Sequence, residues 1–212
     1  FSVVAMDGTD FPEYAQIDEA NASGFTVSSY ILNKGINKTI FATSDDELRP
    51  VMNGIFVELK EDSTTFVSSD SHKLVRYKRF DVKSEKEASF ILPKKPADLL
   101  KNILSKVETD ITIQFDDKNA IFDFASYKLI CRLIEGNYPN YESVIPKDNP
   151  NKLTINKGDF YNTIKRVAVF SNEASRLVKF SLTANQVTVS AQDIDFSISA
   201  YERLNCQYQG DI

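Results

Sequence analysis

The chain has 212 residues, of which 42% are hydrophobic and 26% are charged, as is usual for a globular protein. No apolar run in the sequence approaches the ~20 residues that a membrane-spanning helix needs. The formal net charge of -5 argues against nucleic-acid binding over the whole surface, although a local basic face remains compatible with it.

Few residues are available for metal or phosphate sites, because the chain has one histidine and seven glycines. Its two cysteines, Cys131 and Cys206, lie in unrelated strand patterns and share no metal-type spacing. They are typical of buried thiols in a reducing compartment, so we expect a cytoplasmic protein without cofactor or metal. No signal peptide precedes the first strand, but the chain begins at Phe1 rather than methionine, which leaves a lost N-terminus open.

One motif occurs twice. The segment Met6–Tyr14 returns about 127 residues later as Ile134–Tyr141. Each copy is followed by a short apolar strand and an amphipathic helix. Repetition at this distance indicates a duplicated domain with its linker. It also favours a function that depends on assembled copies rather than on one catalytic pocket.

The first elements come in a recognisable order. Residues 1–5 predict a strand, and the segment around Pro12 predicts a linker that ends near Gly24. A strand at 25–27 follows, with Ser28 or Ser29 as the N-cap of a helix that runs to about Thr43. The core stripe of this helix is Leu32, Ile36 and Ile40. Three strands are then predicted at Val51–Leu59, Thr64–Ser69 and Leu74–Phe80.

The same order then restarts twice. Ser89–Leu92 predicts a strand, and Pro96 fits the first turn of a helix whose apolar residues are Leu99, Leu100, Ile103 and Leu104. Three strands follow at Asp110–Phe115, Ala120–Phe124 and Tyr127–Leu133, the first two joined by a hairpin at 116–119. The last copy has a strand at 153–155, a helix with Phe160, Ile164 and Val167, and strands at Val178–Leu182, Gln186–Ala191 and Ile194–Tyr201, with Leu204–Tyr208 a candidate start of another.

The repeat is therefore β-α-β-β-β, about 60 residues long, and it occurs three times. Two repeats make one domain, which predicts an α+β fold with a remnant strand and linker at 1–22, a complete domain with its linker at 23–145 and a partial domain at 146–212. A half-domain leaves a sheet edge and an apolar helix face exposed, so we expect a piece of a longer protein. A two-domain protein with a degenerate second domain is the alternative.

Three segments carry a family resemblance. Asn53-Gly54, Phe66–Leu74 and Tyr138–Pro146, in this order and spacing, resemble the bacterial sliding clamps, the beta subunits of DNA polymerase III. The resemblance covers essentially the whole chain. It implies a DNA-clamp-like fold with antiparallel sheets outside and helices on one inner face. It further implies a head-to-tail homodimer of three-domain protomers that closes into a ring around duplex DNA and tethers the polymerase.

The helices carry a candidate DNA-facing surface, because their polar sides are poor in acidic residues, which cluster in loops and hairpins instead. Lys and Arg side chains on rigid helices attract phosphates without reading bases, as a sliding ring requires. Ordinary solvation of an exposed helix face is the alternative interpretation. The candidates are Lys34, Lys38, Lys94, Lys95, Lys101, Lys165 and Arg166.

The resemblance also implies a hydrophobic cleft, between the second and third domains, that binds short motifs of the polymerase, the clamp loader and repair proteins. By local match its residues would be Met52, Ser69, Ser71, His72, Lys73, Leu74, Pro139, Ser143 and Val144. Two departures weaken the match, since the family's Gly-His-Arg is Ser71-His72-Lys73 here and a linker arginine is Ser143. His72 could instead be a plain turn residue, and Met52, Leu74 and Val144 could be core at a domain junction.

An enzymatic function is not favoured. Asp70, Ser71 and His72 are consecutive, so their side chains diverge in an extended segment and cannot readily form a catalytic triad. Asp193 and Asp195 share one strand face without a partner cluster. We therefore predict no catalytic residue and no metal site. A repeat-built scaffold that binds proteins but not DNA is the second functional hypothesis.

Overall fold

The computed structural model describes residues 1–10, 14, 16–18 and 20–210, and it contains two compact units. We call Phe1–Glu142 the N-terminal unit and Ser143–Ile212 the C-terminal unit. The strand predicted at residues 1–5 is wrong, because these residues are exposed and lie in no strand. No described strand pairs with them, and an unpaired segment has no ladder to join. Part of the predicted linker, including Pro12, lies outside the described residues.

The first repeat forms its elements close to the predicted positions. The helix begins after Ser28, whose side chain accepts a hydrogen bond from the Ile31 backbone N–H (3.4 Å), and it tightens into a 3-10 turn at Ile40–Ala42. The strand predicted from Val51 starts three residues later, because Pro50–Met52 form a 3-10 turn. The elements are β1 (Ser23–Ser28), α1 (Ser29–Thr39), β2 (Gly54–Leu59), β3 (Thr64–Ser69) and β4 (Leu74–Arg79).

The second repeat has the same order. Pro96 lies in the first helical turn, where a missing backbone N–H costs nothing. The hairpin after β6 is closed by the Asp116 carboxylate, which accepts hydrogen bonds from the backbone N–H groups of Lys118 (2.8 Å) and Asn119 (2.6 Å). The elements are β5 (Ala88–Pro93), α2 (Lys94–Leu104), β6 (Asp110–Phe115), β7 (Asn119–Phe124) and β8 (Tyr127–Arg132).

The two repeats of the N-terminal unit interlock through their first strands. One sheet has the order β4-β3-β2-β5 and the other β8-β7-β6-β1, so each first strand joins the sheet of the other repeat. All pairs are antiparallel, and α1 contacts α2. One hydrophobic core includes residues of both repeats, among them Ile36, Phe66, Leu100 and Ile113. This matches the predicted α+β architecture of duplicated repeats.

The C-terminal unit contains a single repeat in one sheet of order β10-β11-β12-β9. Its buried cluster is small and consists of Val167, Val187, Val189, Ala191 and Cys206. Helix α3 begins after Asn156, whose side chain accepts from the Asp159 backbone N–H (3.1 Å). The elements are β9 (Lys152–Ile155), α3 (Lys157–Val167), β10 (Lys179–Leu182), β11 (Gln186–Asp193) and β12 (Ile198–Gln209).

The end of the C-terminal unit corrects the predicted strands. Residues 194–197 form a turn, because the Asp193 carboxylate accepts hydrogen bonds from the backbone N–H groups of Asp195 (2.9 Å) and Phe196 (3.4 Å). The two strands predicted at Ile194–Tyr201 and Leu204–Tyr208 are one strand, β12. Its first part pairs with β11 and its last four residues pair with β9. In the described part of the chain, no helix combines the length and apolar character that membrane crossing requires.

Candidate nucleic-acid interface and peptide-binding residues

Helix α1 separates its core side from a side that carries two predicted lysines. Leu32 and Ile36 are buried, whereas Lys38 is exposed. Lys34 is half-buried because its ammonium lies 4.3 Å from the centre of the Tyr30 ring and also donates a hydrogen bond to the Tyr30 hydroxyl. This contact lowers the pKa of Tyr30. The Lys34 charge is therefore held in place on the helix without being neutralised.

Helix α2 holds its three predicted lysines in different surroundings. Lys94 pairs with the Asp45 carboxylate at 2.7 Å, and Lys101 pairs with Asp98 one turn earlier on the same helix. Lys95 is exposed and forms no ion pair with the described residues. The positive charges of Lys94 and Lys101 are therefore partly compensated by neighbouring carboxylates, and that of Lys95 is not.

Helix α3 shows the same contrast. Lys165 is exposed, with its ammonium 5.6 Å from the centre of the Tyr161 ring. Arg166 forms a two-pronged ion pair with Glu202 on β12, in which Nε and Nη2 each lie 2.8 Å from a carboxylate oxygen. The Arg166 guanidinium, together with the Thr163 hydroxyl, lowers the pKa of Glu202 to about 2. Arg166 is therefore the most fully compensated cation of the predicted set.

Ion pairing divides the seven predicted cations into two groups. Lys94, Lys101 and Arg166 each pair with a carboxylate. The other four form no ion pair within residues 1–10, 14, 16–18 and 20–210, and they are Lys34, Lys38, Lys95 and Lys165. Since a neighbouring carboxylate lowers the positive potential around its cation, this second group is the stronger candidate for DNA contact.

The turn between β3 and β4 contains the predicted cleft residues Ser71, His72 and Lys73, and Ser69 at the end of β3 precedes it. The Ser69 hydroxyl donates to the Lys73 carbonyl at 2.9 Å and accepts from the Ser71 backbone N–H at 3.2 Å. Asp70 accepts from the backbone N–H groups of His72 (3.0 Å) and Lys73 (2.9 Å), and the Lys73 ammonium also pairs with it. Hydrogen bonds between residues of the turn therefore stabilise its conformation.

The hydrogen bonds of this turn also concern Asp70 and His72, which the sequence analysis considered as members of a catalytic triad. Hydrogen bonds from Lys73, first from its side chain and then from its backbone, hold the pKa of Asp70 well below its usual range. The Asp70 carboxylate accepts hydrogen bonds from the backbone N–H groups of His72 and Lys73. His72 is exposed, as expected for either a turn residue or a rim residue.

Ser71 joins the turn to Met52. Its backbone φ is +76°, in the left-handed region that favours glycine. Its hydroxyl lies 3.6 Å from the Met52 sulfur and accepts a hydrogen bond from Arg49. The fold therefore brings Met52 and Ser71 together. It also adds Arg49, which sequence reasoning missed because no motif links residues 22 positions apart.

The segment around Pro139 is anchored on β2 by two tyrosines. The Tyr138 ring stacks on Phe56 with centroids 4.9 Å apart, and the Tyr141 hydroxyl lies 3.1 Å from the Glu58 carboxylate. Burial raises the pKa of both tyrosines, that of Tyr138 to about 12. Pro139 is exposed between these anchors. The segment Tyr138–Tyr141 therefore holds an exposed proline between two anchored tyrosines.

The remaining cleft candidates are spread over both units. Leu74 is half-buried at the start of β4 in the N-terminal unit. Ser143 and Val144 belong to the C-terminal unit, and 68% of Val144 is exposed. An exposed valine of this kind is available to a partner in a way that a core residue is not.

The described residues hold no group of three or more His, Cys, Asp or Glu side chains that could bind a metal ion. Cys131 is not poised for nucleophilic chemistry, because burial raises the pKa of its thiol to about 12. Asp193 and Asp195, whose carboxylates both lie near the Asn172 amide, form a turn rather than a cluster.

Comparison with known proteins gives consistent matches along the chain. The family described as "DNA polymerase III beta subunit, central domain" matches residues 26–140, and "DNA polymerase III beta subunit, C-terminal domain" matches residues 142–211. The beta sliding clamp of Borreliella burgdorferi is 33% identical over 166 residues, which are 78% of this chain and 43% of that protein. The Bacillus subtilis clamp is 26% identical over 183 residues, 85% of this chain and 48% of that protein.

Solved structures of the same kind resemble the fold. A sliding clamp from Bartonella birtlesii bound to griselimycin has a TM-score of 0.86 and 28% identity, covering 96% of this chain and 55% of that one. The beta subunit from Thermotoga maritima has a TM-score of 0.85 and 26% identity, covering 97% of this chain and 55% of that one. The chain spans about half the length of the curated relatives it matches.

Proposed function

This chain belongs to the family of bacterial DNA polymerase III beta subunits, and from that membership we propose that it works as part of a sliding clamp. In this function it is a non-catalytic processivity factor in the cytoplasm that encircles duplex DNA and tethers the replicative polymerase. The observation that carries the proposal is that α1, α2 and α3 each carry a lysine that forms no ion pair with the residues the structure describes. These lysines are Lys34 and Lys38 on α1, Lys95 on α2 and Lys165 on α3.

The chemistry of these lysines suits sliding. Each contact of a lysine with a phosphate releases counterions and attracts the duplex, but it carries no information about base sequence. A helix holds each charge at a fixed position while the side chain exchanges one phosphate for the next. The acidic residues that make the net charge -5 do not abolish this local attraction, because charges more than about 8–10 Å apart are screened by physiological salt.

We assign the partner-binding cleft to Met52 and the β3–β4 turn, with Pro139, Ser143 and Val144 from the following segment. Met52 would receive an apolar side chain of a polymerase or clamp-loader motif, and Arg49 and Ser71 beside it would orient the peptide. The griselimycin-bound clamp of Bartonella birtlesii supports a ligand cleft on this fold.

The domain division follows from the same family membership. We propose that residues 23–145 are a complete central clamp domain, that 146–212 are part of the third, and that 1–22 are the end of a first domain with its linker. The full-length protein would then close its ring as a head-to-tail homodimer.

The DNA-facing lysines can be tested with this chain and a fluorescent 30-bp duplex. We expect weak binding at low salt. In a plot of log affinity against log salt concentration, the slope should become shallower by about 0.9 in Lys38→Ala and by about 0.9 in Lys95→Ala. Lys86→Ala, which removes an exposed lysine outside the helices, is the matched control and should leave the slope unchanged. Equal slopes for all variants would favour the protein-only scaffold.

The ring requires the full-length protein. Loaded onto closed circular DNA it should remain bound, and it should run off when the circle is cut once. Equal retention on circular and linear DNA would exclude the encircling mechanism.

The cleft can be tested by titrating a clamp-binding peptide against Met52→Asp protein. Loss of one buried apolar anchor should weaken binding at least tenfold, since such a side chain contributes about 1.5–3 kcal/mol. The only other methionine, Met6, is 83% exposed, and Met6→Asp is the matched control. Unchanged affinity in Met52→Asp would remove this residue from the cleft.

A further inference from the structure

One segment of the N-terminal unit, residues 134–142, lies across a face of the sheet β4-β3-β2-β5, and we call it the linker strap. Four residues on neighbouring strands of this sheet are direct backbone partners and form one row from β5 to β4. They are Ile91, Phe56, Val67 and Arg76, in that order. Because directly opposite residues project from the same face, the row is a single line across one side of the sheet.

The linker strap is fixed to this row where it begins and again in its middle. The backbone N–H of Ile134 donates a hydrogen bond to the Ile91 carbonyl at 3.1 Å. Four residues later the Tyr138 ring is stacked on Phe56, with the ring planes 10° apart and the centroids 4.9 Å apart. The first two attachments therefore follow the row from β5 to β2.

Two polar contacts fix the far end of the linker strap. The Glu142 carboxylate accepts a hydrogen bond from Arg76 on β4 at 2.7 Å. The Tyr141 hydroxyl lies 3.1 Å from the carboxylate of Glu58, which is two residues beyond Phe56 on β2. The linker strap thus crosses three strand spacings, about 14 Å, from one edge strand of the sheet to the other.

The linker strap lies over an apolar face that is separate from the main core. Val67 is 0% exposed and Ile91 is 3% exposed, yet neither belongs to the hydrophobic cluster that joins the two repeats. Their neighbours Phe66 and Leu92 do belong to it, and successive residues of a strand point to opposite faces. Val67 and Ile91 are therefore buried on the face that the linker strap crosses.

The linker strap also contacts the 3-10 turn that carries Met52. Gly136 has a φ of +124°, and a Cβ atom at this position would lie 3.0 Å from the Val51 side chain. Val51 is the residue before Met52 in the turn Pro50–Met52. The backbone of the linker strap therefore approaches this turn as closely as a glycine allows.

The row is close to the end of the sheet that carries the β3–β4 turn. Ser69 is two residues beyond Val67 on β3, so it projects from the same face roughly 7 Å along the strand. Pro139 follows Tyr138 directly and is exposed. The linker strap therefore carries Pro139 on the face from which Ser69 projects, while Gly136 meets the turn before β2.

We infer that the linker strap sets the affinity of the partner-binding cleft by holding Pro139 and Met52 in place before a partner arrives. This inference rests on the cleft proposed above. A strap that is already fixed spares the partner the entropic cost of ordering it, so releasing the strap weakens binding. The positioning residues, which act without touching the partner, are Phe56, Glu58, Arg76 and Gly136.

Titration of the clamp-binding peptide against stacking variants is the first test. Phe56→Ala removes the ring beneath Tyr138 and should weaken peptide binding about two- to tenfold. Phe56→Tyr keeps the ring and should retain the affinity. Tyr127→Ala removes the stacking partner of Phe124 in the other sheet and is the matched control. Circular dichroism identifies any variant that fails to fold.

A charge exchange at the end of the linker strap decides the matter if Phe56→Ala does not fold. Arg76→Glu puts two carboxylates side by side and should weaken the peptide about threefold, since the pair is partly exposed. Combining it with Glu142→Arg restores an opposite-charge pair and should restore the affinity. A direct contact between Arg76 and the peptide would not survive this reversal. Lys128→Glu, which breaks the pair with Asp123, is the control.

Met52→Asp separates this inference from the cleft itself. If Met52→Asp weakens the peptide but Phe56→Ala and Arg76→Glu do not, the cleft stands and the positioning role of the linker strap is refuted. An affinity that falls in Arg76→Glu and stays low in the exchanged pair also refutes it. If none of the three substitutions changes the affinity, the cleft assignment is wrong and the inference is wrong with it.

Discussion

The ion pair of Arg166 reduces the ability of this cation to attract a phosphate. Its guanidinium is in a two-pronged pair with Glu202, whereas Lys165 beside it contacts the Tyr161 ring and pairs with no carboxylate of the described residues. A bidentate pair orients the arginine and compensates its charge, so its attraction for a phosphate is weaker. For this reason we rank Lys165 above Arg166 as a candidate DNA contact.

The Glu202 carboxyl should reveal this pair by its titration. We expect a midpoint near pH 2 in place of the ordinary 4.5, measured by NMR on the side-chain carboxyl. Because its pKa in the folded protein is below the ordinary value, the pair stabilises the fold above about pH 4.5, and this contribution is lost as pH falls from 4.5 toward 2.

Two variants test whether Arg166 causes the lowered pKa of Glu202. Arg166→Gln should return the Glu202 midpoint toward 4.5, while Lys165→Gln, one residue away, should leave it low. A midpoint near 4.5 in the unaltered protein would mean that the ion pair does not form in solution.

Helix α1 packs closely against the sheet at a glycine. Gly35 faces the Phe66 ring of β3, and a Cβ atom at this position would lie 2.6 Å from it. We therefore expect Gly35→Ala to lower the free energy of unfolding by about 1–3 kcal/mol through overpacking. This occurs although alanine is the better helix former by about 1 kcal/mol. Urea denaturation monitored by circular dichroism measures the change.

Gly158 in α3 is the matched control, because a Cβ there would meet only the Asn156 side chain at 3.4 Å. Gly158→Ala should leave stability unchanged or raise it by up to about 1 kcal/mol. If both alanine variants are equally stable, α1 must be able to shift away from β3.

Elements that rest on local chemistry could be predicted from the sequence. Thr64–Ser69 and Asp110–Phe115 have the predicted bounds, because strand alternation and turn residues define them. Residues 194–197 could not be predicted in this way. Their apolar side chains suggest a strand, and only the Asp193 hydrogen bonds show that a turn competes successfully.

Pairing between elements could not be predicted either. The sequence indicates three similar repeats, but the exchange of β1 and β5 between sheets depends on contacts between distant residues. The same limit applies to the candidate cleft. A family resemblance points to Met52 and Ser71, whereas Arg49 becomes visible only when the fold places it beside the Ser71 hydroxyl.

Charge is distributed so that a net acidic chain retains positively charged sites. Several lysines and arginines outside the helices pair with nearby carboxylates, as Lys128 does with Asp123 and Arg76 with Glu142. Cations left without such partners then define where a polyanion can bind. This is why net charge alone is a poor guide to nucleic-acid binding in this chain.

The two units should differ in stability because their cores differ in size. The N-terminal core joins two repeats, whereas the C-terminal cluster is built from one repeat and leaves Phe180 partly exposed. Since buried apolar area is the main stabilising contribution, we expect two unfolding transitions, with the C-terminal unit opening first. Hydrogen exchange should be faster in β10 and β12 than in β2 and β3. A single transition with equal protection in both units would contradict this.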